Sequence, residues 1–502
     1  MLFKRESGFL ECRLDCDKTK AILMGERSQA NKYTEFKKLL HPESLALIGV
    51  PRGSKQGSIF LRAMLDCGFP GKLFLINPWA EKINGLKAYS SVKAVENRID
   101  MAILLVPNSK TPQVLQECAE KGVKIAILYT AGYSELGTEE GQALEKRILD
   151  IAGSRGMRLI GPNCMGIYSP KAHLSNFPEL SKTPGKMGLI SQSGSLTNIL
   201  CKLMPSREIF FSMAISTGNE VDLNSTDFLW YFGRDNNTKF IALYLEGIKD
   251  GRRFFNVLKE TTLKKPVIIW KTGATAMGKQ AISSHTGGMA GAIEMWKAVF
   301  RQCGVTAVVG IEEFIDVITA FYVLPEGLDS RIGIVSGPGG LAVSAADACQ
   351  RVGLQLANLK QETQMVLRFL IPATGTSVRN PVDLGLSASL DINLLGKAAE
   401  TVGRDPGVDA VMIIGAGINP EQNRAFPEVL PKARKVVGKP FIMVSLPGFG
   451  VEQIGQLFQY GIPVFDSVER AANAYAKVLR YQNWLKSQKG IGGTIGCKVE
   501  NL

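Results

Sequence analysis

The amino-acid sequence predicts an α/β protein with three doubly wound parallel-sheet domains, and three observations support this prediction. The chain has 502 residues, which is more than one hydrophobic core usually organises. Hydrophobic residues make up 45% of it and charged residues 21%, which is typical of a globular protein. From about residue 36, short β-rich apolar runs alternate with amphipathic stretches of helical spacing, the pattern of repeated strand–helix–strand units.

Apolar runs typical of buried parallel strands form three series along the chain. The first series comprises Ser44–Val50, Lys72–Asn77, Met101–Pro107, Lys124–Tyr129 and Arg158–Ile160. The second comprises Met187–Ser191, Phe210–Ser216, Phe240–Leu245 and Val267–Trp270, and the third Arg331–Ser336, Ala410–Ile414, Lys439–Val444 and Ile462–Phe465. Helical spacing over Ile59–Cys67 and Thr111–Lys121 ends in each case at a glycine, a common helix terminator.

Turn-rich segments mark the expected domain boundaries. They are the Pro/Ser/Lys-rich Pro178–Gly185 and the segment Leu324–Ser330, while apolar periodicity is lost after Leu485. We therefore expect five segments: an N-terminal extension at 1–35, domains at 36–178, 179–327 and 328–485, and a tail at 486–502.

Charge and cysteine content narrow the class of protein. The net charge is +13, and the basic residues are scattered rather than gathered in one block. This distribution favours a small anionic ligand over DNA. No apolar run approaches the roughly 18 residues that span a bilayer, and no secretory signal is evident, so we expect a cytoplasmic protein. The nine dispersed cysteines are expected to be reduced thiols, and the lone pair Cys12 and Cys16 does not predict a metal site.

An internal repeat links the second and third domains. Lys186–Leu196 aligns without a gap on Arg331–Leu341, and in both a strand runs through Ser and Gly residues into a helix. Such a turn directs backbone N–H groups and the positive end of the helix dipole at a ligand. We predict that the two turns bind one phosphate, although any α/β domain has such turns; the residues are Ser193, Gly194, Ser195, Gly339 and Gly340.

The loop after the first strand is a candidate phosphate cradle. Gly49, Gly53 and Gly57 permit close backbone approach, and Arg52 and Lys55 add positive charge. The spacing is not G-x-G-x-x-G, and Asn77-Pro78 stands where a dehydrogenase carries an acidic residue for the ribose. Coenzyme A is therefore a better fit than a nicotinamide cofactor, while a turn that binds nothing remains an alternative. The loop and the strand end contribute these candidate cofactor-binding residues: Gly49, Arg52, Gly53, Ser54, Lys55, Gln56, Gly57 and Asn77.

His285 is the candidate nucleophile among three histidines. It lies in a polar, glycine-rich loop, where an imidazole can be reached by a ligand. A neutral imidazole acts as a nucleophile near pH 7 when a carboxylate fixes its tautomer. Glu246 follows an apolar strand, at the edge of the sheet where ligands bind, and is the candidate partner. A structural histidine is the alternative.

Several motifs together resemble a known family. The chain is similar, from about Glu35 to Gln482, to the α subunit of nucleoside-diphosphate-forming acyl-CoA synthetases (acetate–CoA ligase, ADP-forming), which are relatives of succinyl-CoA synthetase. The motifs are Leu47-Ile-Gly-Val, Ile76-Asn-Pro, Leu159-Ile-Gly-Pro-Asn-Cys-Met-Gly166, Ile190-Ser-Gln-Ser-Gly-Ser-Leu196, Leu243-Tyr-Leu-Glu-Gly247, Ser284-His-Thr-Gly287 with Ala290-Gly291, and Asn380-Pro-Val-Asp-Leu384.

The resemblance implies a fold, a reaction and roles for residues. It implies a Rossmann-like CoA-binding domain followed by two flavodoxin-like domains of the succinyl-CoA synthetase type. It implies a reversible relay in which acyl-CoA and phosphate give acyl phosphate, and the phosphoryl group passes to a histidine and then to ADP. His285 matches the phosphorylated histidine and Glu246 the carboxylate that steadies it, while Asn163 and Cys164 match part of the CoA site.

Two differences between this sequence and the family limit which family properties the resemblance implies for the chain. The chain lacks an ATP-grasp domain, so the resemblance implies a separate β subunit that binds ATP or ADP with Mg²⁺. Asn198 stands where succinyl-CoA synthetase has a tyrosine, so the carboxylic acid is left open, as are ADP against GDP, the direction of flux and the stoichiometry. The competing interpretations are a catalytically silent protein that senses CoA or acyl-CoA, and an α/β dehydrogenase without its fingerprint.

Overall fold

The computed structural model describes residues 30–51, 57–278, 280, 292–373, 375–446 and 448–493. Its strands form three sheets whose pairings are mostly parallel, which confirms the predicted α/β class. The strands of the first sheet are β1 (Ser44–Ile48), β2 (Lys72–Ile76), β3 (Lys82–Ile83), β4 (Leu86–Tyr89), β5 (Met101–Leu104), β6 (Ile125–Leu128) and β7 (Arg158–Ile160).

Twelve further strands in the described residues build the other two sheets. The second sheet contains β8 (Gly166–Tyr168), β9 (Met187–Ser191), β10 (Phe211–Ser216), β11 (Phe240–Leu245), β12 (Val267–Lys271) and β13 (Thr306–Val308). The third contains β14 (Arg331–Ser336), β15 (Gln355–Leu356), β16 (Val382–Asp383), β17 (Ala410–Ile414), β18 (Phe441–Val444) and β19 (Val464–Phe465).

Helices connect most of the parallel strands, because two parallel neighbours can be joined only by a long crossover connection. Residues 30–40 are helical and precede β1. The later helices span Ser58–Cys67, Thr111–Lys121, Glu139–Gly153, Gly194–Leu203, Ser225–Arg234, Gly251–Thr262, Ile293–Cys303, Ile311–Val323, Gly339–Arg351, Gln361–Leu370, Ser387–Leu390, Ile392–Arg404, Pro420–Asn423, Phe426–Val437, Val451–Gln459 and Val468–Gly493.

The first sheet has the strand order of a dinucleotide-binding fold. Its order is β3-β4-β2-β1-β5-β6-β7, and β3 joins only through an antiparallel pairing with β4. The remaining six strands follow the order 3-2-1-4-5-6 of the Rossmann fold. The direction of winding reverses between β1 and β5, and ligands of such sheets bind at the carboxyl ends of the strands beside this point.

The second and third sheets share the flavodoxin-like order 2-1-3-4-5. The second runs β13-β12-β11-β9-β10, with β8 added as an antiparallel edge strand, and the third runs β15-β14-β17-β18-β19. The first strands of these orders, β9 and β14, are the two strands of the internal repeat. The repeated sequence therefore has the same place in both sheets, immediately before a helix that begins at Gly194 or Gly339.

Several elements extend across the predicted boundaries. Strand β8 lies before residue 179 in the chain, yet it pairs with β10 of the second sheet. The helix Val468–Gly493 continues beyond Leu485, where the sequence predicts a tail. Helical residues begin at 30, where Tyr33 stacks on Tyr231 with ring centroids 5.5 Å apart and Phe36 packs on the same ring in a tilted arrangement at 5.6 Å. The boundaries themselves stay predictions.

Buried side chains join the three sheets into one body. One apolar cluster contains Leu47 and Ile103 of the first sheet together with Ile190 and Leu243 of the second. Another contains buried residues of the second and third sheets, among them Leu189 and Val411. Over the ranges given above, none of the helices combines the length and the apolar character that a membrane span needs.

Candidate functional site

A cleft of about 540 Å³ lies where the carboxyl ends of the first and second sheets meet. Its first-sheet wall is formed by residues that follow β1, β5 and β6, beside the point where the winding reverses. Its second-sheet wall is formed by residues that follow β9 and β10. Six residues predicted for cofactor or phosphate binding line this one cleft: Gly57, Asn163, Cys164, Ser193, Gly194 and Ser195.

Two chain segments running side by side join the walls. The amides of Asn219, Val221 and Leu223 donate to the carbonyls of Pro162, Gly161 and Leu159, at 3.0, 3.0 and 3.1 Å. These bonds attach the segment after β7 to the segment after β10.

Gly218 allows this close approach. A Cβ built on it would lie 2.1 Å from the Pro162 carbonyl oxygen, and its φ of +58° is in the left-handed region that favours glycine. The cleft is therefore a fixed junction between the first two domains.

Asn163 and Cys164 contribute to the cleft in different ways. Asn163 has a left-handed φ of +57°, and its backbone amide donates to the Thr130 carbonyl at 3.1 Å. This bond holds the chain beside the residues that follow β6. Cys164 is buried, and burial raises the pKa of its thiol to about 12. Its sulfur faces the Leu128 and Ile160 carbonyls at 3.5 and 3.6 Å. The thiol is therefore not a nucleophile near neutral pH.

The predicted phosphate loop is described only at its two ends. Arg52, Gly53, Ser54, Lys55 and Gln56 lie outside the described residues.

Gly49 has a φ of +88°, and a Cβ there would lie 2.7 Å from Val106 Cγ1, so glycine lets β1 and β5 end side by side. Gly57 lines the cleft, where a Cβ would lie 2.8 Å from Pro51 Cδ. Both glycines therefore have a steric reason in the described structure.

Asn77 shapes the loop rather than the cleft. Its side-chain amide donates to the Val50 carbonyl at 2.8 Å, and its side-chain oxygen accepts from the Trp79 amide at 2.8 Å. The side chain is nearly buried and does not line the cleft. The structure therefore places Asn77 as a support for the segment that leaves β1.

The helix Gly194–Leu203 points its N-terminus into the cleft. Ser193 caps it, because its hydroxyl accepts from the Leu196 amide at 3.3 Å. A Cβ at Gly194 would lie 2.9 Å from Met165 Cγ, so glycine lets the helix start against the first-sheet wall. The first amides of a helix have no intrahelical acceptor, and the helix dipole is positive there. This end can bind an anion.

The corresponding helix of the third domain does not reach this cleft. The turn before the helix Gly339–Arg351 nevertheless repeats the geometry of the turn before Gly194–Leu203. Ser336 Oγ donates to the Pro338 carbonyl at 2.9 Å, as Ser191 Oγ donates to the Ser193 carbonyl at 2.8 Å. Gly339 and Gly340 are not among the cleft-lining residues. A Cβ at Gly339 would lie 2.5 Å from Asp383 Oδ2. The turn at Gly339 therefore does not line this cleft, and the binding of one phosphate by both turns stays a prediction.

Glu246 lies at the carboxyl end of β11, as predicted, and its side chain is 6% exposed. The Tyr244 hydroxyl donates to Glu246 Oε1 at 3.5 Å, and the Lys271 ammonium donates to the Glu246 carbonyl at 2.8 Å. His285 lies outside the described residues, so the predicted pairing of the two side chains stays a prediction.

Gln192 and Glu220 belong to this edge of the sheet, and the sequence did not single them out. The Gln192 side-chain oxygen accepts from the Glu246 and Gly247 amides at 2.5 and 3.1 Å. Glu220 is almost fully buried after β10. Burial raises the pKa of its carboxyl, against hydrogen bonds from Ser225, Thr217 and Gln192 that favour the charged form. The one available signal was the place of Gln192 inside the repeated motif, where the third domain has Gly337.

The described residues contain no group of three His, Cys, Asp or Glu side chains arranged to hold a metal ion. The described lining of the cleft offers backbone amides, a helix N-terminus and uncharged polar side chains. That composition suits an anionic ligand that reaches the cleft with its phosphate groups.

Comparisons with known proteins agree with this geometry. A CoA binding domain model matches residues 43–170, and a succinyl-CoA ligase like flavodoxin domain model matches residues 184–321. The chain is 38% identical over 454 residues to the α subunit of ADP-forming acetate–CoA ligase II of Pyrococcus furiosus, covering 88% of this chain and 97% of that subunit.

A longer relative and a solved structure add to the comparison. An ADP-forming acetate–CoA ligase of Methanocaldococcus jannaschii is 39% identical over 352 residues, and the match spans 70% of this chain but only 49% of that protein. The solved acetyl-coenzyme A synthetase 1 of Ca. Korarchaeum cryptofilum, in complex with phosphate and ADP, has a TM-score of 0.80 at 30% identity. That match covers 92% of this chain and 99% of the solved chain.

Proposed function

The chain belongs to the family of ADP-forming acetate–CoA ligase α subunits, and we propose on that basis that it is the CoA-binding and acyl-handling chain of an acid–thiol ligase. The reaction interconverts acyl-CoA, phosphate and ADP with a carboxylic acid, CoA and ATP. In the direction of ATP formation, phosphate displaces CoA from the acyl group, and the acyl phosphate then gives its phosphoryl group to a histidine and finally to ADP.

The single observation that best supports this proposal is the make-up of the cleft. One wall is the carboxyl edge of a Rossmann-ordered sheet beside its winding reversal, and the other presents the N-terminus of the helix Gly194–Leu203. CoA phosphates suit the first wall, and an acyl group attacked by inorganic phosphate would then lie near the second. Backbone amides at Gly194 and Ser195 would stabilise the negative charge that gathers on the transferring phosphate.

The phosphoryl relay is assigned to His285 and Glu246. Glu246 ends β11 on the same edge as Ser193, and its carboxylate would accept a proton from one imidazole nitrogen so that the other attacks phosphorus. Gly339 and Gly340 do not line the cleft, which fits a relay in which the phosphoryl group is bound at two places in turn. The histidine would receive the phosphoryl group at the first helix and deliver it near the second.

An ATP-grasp β subunit is the proposed partner, and it would bind the nucleotide. The chain covers nearly all of a relative named as an α subunit but about half of the longer Methanocaldococcus ligase, so the rest of the machinery fits a second chain here. We assign Mg²⁺ to the same partner, because the ion is usually bound together with the phosphates of the nucleotide. A cytoplasmic location is part of the same proposal.

Co-expression with an ATP-grasp subunit and a screen of carboxylic acids test the proposal. With ATP, Mg²⁺ and CoA, we expect ADP release that depends on one class of acid and that His285→Ala abolishes. CoA binding by calorimetry should be retained in His285→Ala, because His285 is assigned to phosphoryl transfer and not to CoA binding. If CoA binds tightly but no acid of the panel supports turnover, the chain is instead a silent CoA sensor.

A further inference from the structure

The backbone and side chain of Gln192 together make four hydrogen bonds at the carboxyl edge of the second sheet. Its backbone amide donates to the Tyr244 carbonyl at 3.3 Å, and its side-chain oxygen accepts from the Glu246 and Gly247 amides at 2.5 and 3.1 Å. Its side-chain nitrogen donates to the Gly247 carbonyl at 2.9 Å. All these partners lie in the four residues 244–247, which carry β11 into the loop holding Glu246.

The pattern of partners fixes which way the amide points. Two backbone N–H groups require an acceptor, and one carbonyl requires a donor, so the oxygen must face Glu246 and the nitrogen Gly247 O. No other uncharged side chain of this length offers both functions. A carboxylate would lose the donor, and an apolar side chain would lose all three bonds.

Glu220 is a buried neighbour of the same amide. Its carboxylate accepts from the Thr217 hydroxyl at 2.8 Å, from the Ser225 amide at 3.0 Å and from the Ser225 hydroxyl, and the Gln192 side chain favours its charged form. Glu220 follows β10, Gln192 follows β9 and Glu246 follows β11. The side chain of Gln192 therefore joins the end of β9 to the end of the adjacent β11, and Glu220 lies after β10 on the other side of β9.

Gln192 also adjoins the phosphate-binding end of a helix. It directly precedes Ser193, the residue that caps Gly194–Leu203, and it lines the cleft. The backbone of Gln192 and Ser193 thus sets the position of the helix N-terminus, and the side chain of Gln192 sets the position of the loop after β11.

We propose that Gln192 is a positioning residue that holds Glu246 in register with the helix N-terminus during phosphoryl transfer. The inference rests on the proposed function, in which Glu246 orients His285. Gln192 itself neither gives nor takes a proton. Its effect is to keep the distance between the carboxylate that orients the histidine and the amides that bind the phosphoryl group.

Such a role predicts a slow chemical step with intact ligand binding. A misplacement of about 1 Å in a reacting group can cost about 100-fold in rate. We expect Gln192→Met, which is similar in volume but forms no such bonds, to slow phosphorylation of His285 by about 10- to 100-fold. Gln192→Glu should be slowed as much or more, because it loses the donor to Gly247 O and places a second carboxylate beside Glu220.

The test measures labelling of the full chain in complex with its ATP-grasp subunit. Phosphohistidine formation from radiolabelled ATP and Mg²⁺ is followed by rapid quench, and CoA affinity is measured by calorimetry on the same samples. Gln350→Met is the matched control, since Gln350 is an exposed glutamine on the helix Gly339–Arg351. We expect the control to match the unsubstituted complex.

A double-mutant cycle separates positioning from a general loss of structure. If Gln192 acts through Glu246, then Gln192→Met should cost less than about threefold in a Glu246→Gln background, because the group that it positions is already lost. If the rate losses of the two single variants multiply in full in the double variant, the inference is overturned. An unchanged rate in both Gln192 variants would also overturn it. Absence of any label in the unsubstituted complex would instead overturn the proposed function.

Discussion

The carboxylate of Asp222 binds the guanidinium of Arg158 through two bonds, to Nε at 2.9 Å and to Nη2 at 2.8 Å. The same carboxylate accepts from the Leu159 amide at 2.8 Å. Arg158 begins β7 of the first sheet, whereas Asp222 lies in the segment that follows β10 of the second. This pair therefore fixes one wall of the cleft to the other.

Asp222→Asn should loosen that junction. An asparagine has one acceptor oxygen and no charge, so it cannot bind both guanidinium nitrogens and the amide as the carboxylate does. We expect a loss of about 1–2 kcal/mol in the free energy of unfolding. At about 2–4 °C per kcal/mol for a domain of this size, the thermal midpoint should fall by several degrees, as differential scanning calorimetry would measure.

A second aspartate–arginine pair provides the control. Asp347 and Arg351 are 3.8 Å apart on an exposed helix face, with side chains 62% and 73% exposed. Such pairs contribute little to stability. Asp347→Asn should leave the midpoint unchanged, and an equal fall in both variants would show that the Asp222 junction has no special role.

Gly218→Ala should damage CoA binding without removing any polar group. The added methyl would meet the Pro162 carbonyl oxygen at 2.1 Å, and the backbone is in a conformation that disfavours alanine. The segment carrying Asn163 must then move away from the second sheet. We expect a CoA dissociation constant raised by about tenfold or more, measured by calorimetry.

Gly251→Ala is the matched glycine control. A Cβ at Gly251 meets no atom within 4 Å, and the residue begins a helix in which alanine is favourable. CoA affinity should not change in this variant. If Gly218→Ala binds CoA as tightly as Gly251→Ala does, the cleft is not the CoA site.

Cys164 should resist alkylation in the folded chain. Burial raises the pKa of its thiol to about 12, so little reactive thiolate is present at pH 8, and the sulfur is buried. Peptide mapping after iodoacetamide treatment should find Cys164 unmodified until guanidinium is added. Modification of the native chain at the rate of a free thiol would mean that this wall of the cleft opens readily.

Glu246→Gln should slow phosphorylation of His285 by about 10²–10⁴-fold, the usual range for a positioned acid–base group. Glutamine keeps the volume and leaves the backbone bonds to Gln192 in place, so folding should be retained. The exposed Glu362→Gln serves as the control. Single-turnover labelling that proceeds equally fast in both variants would assign Glu246 a role in the fold alone.

Much of the fold could be predicted from the sequence because buried parallel strands are continuous apolar runs. Arg158–Ile160, Met187–Ser191 and Ala410–Ile414 have the predicted bounds, and Gly68 and Gly122 end their helices in the left-handed conformation. The short strands β3, β15 and β16 were not predicted, because two residues are too few to show a period.

The sequence singled out individual residues of the cleft but not their arrangement. Glycine and serine patterns marked Gly57 and Ser193, the family resemblance marked Asn163, and the structure places all three in one cleft. The pairing of Arg158 with Asp222 spans 64 positions of the chain, so no local pattern could indicate it. The separation of Gly339 from the cleft likewise depends on how whole domains pack.

The source of the phosphate on His285 is the most direct test of the proposed relay. The purified chain alone, with Mg²⁺, labelled phosphate and the acyl-CoA of the acid selected by the screen, should acquire an acid-labile, base-stable label that His285→Ala lacks. Labelled ATP should transfer negligible phosphate until an ATP-grasp subunit is added. Efficient labelling of the isolated chain by ATP, or a label that persists in His285→Ala, would contradict the account.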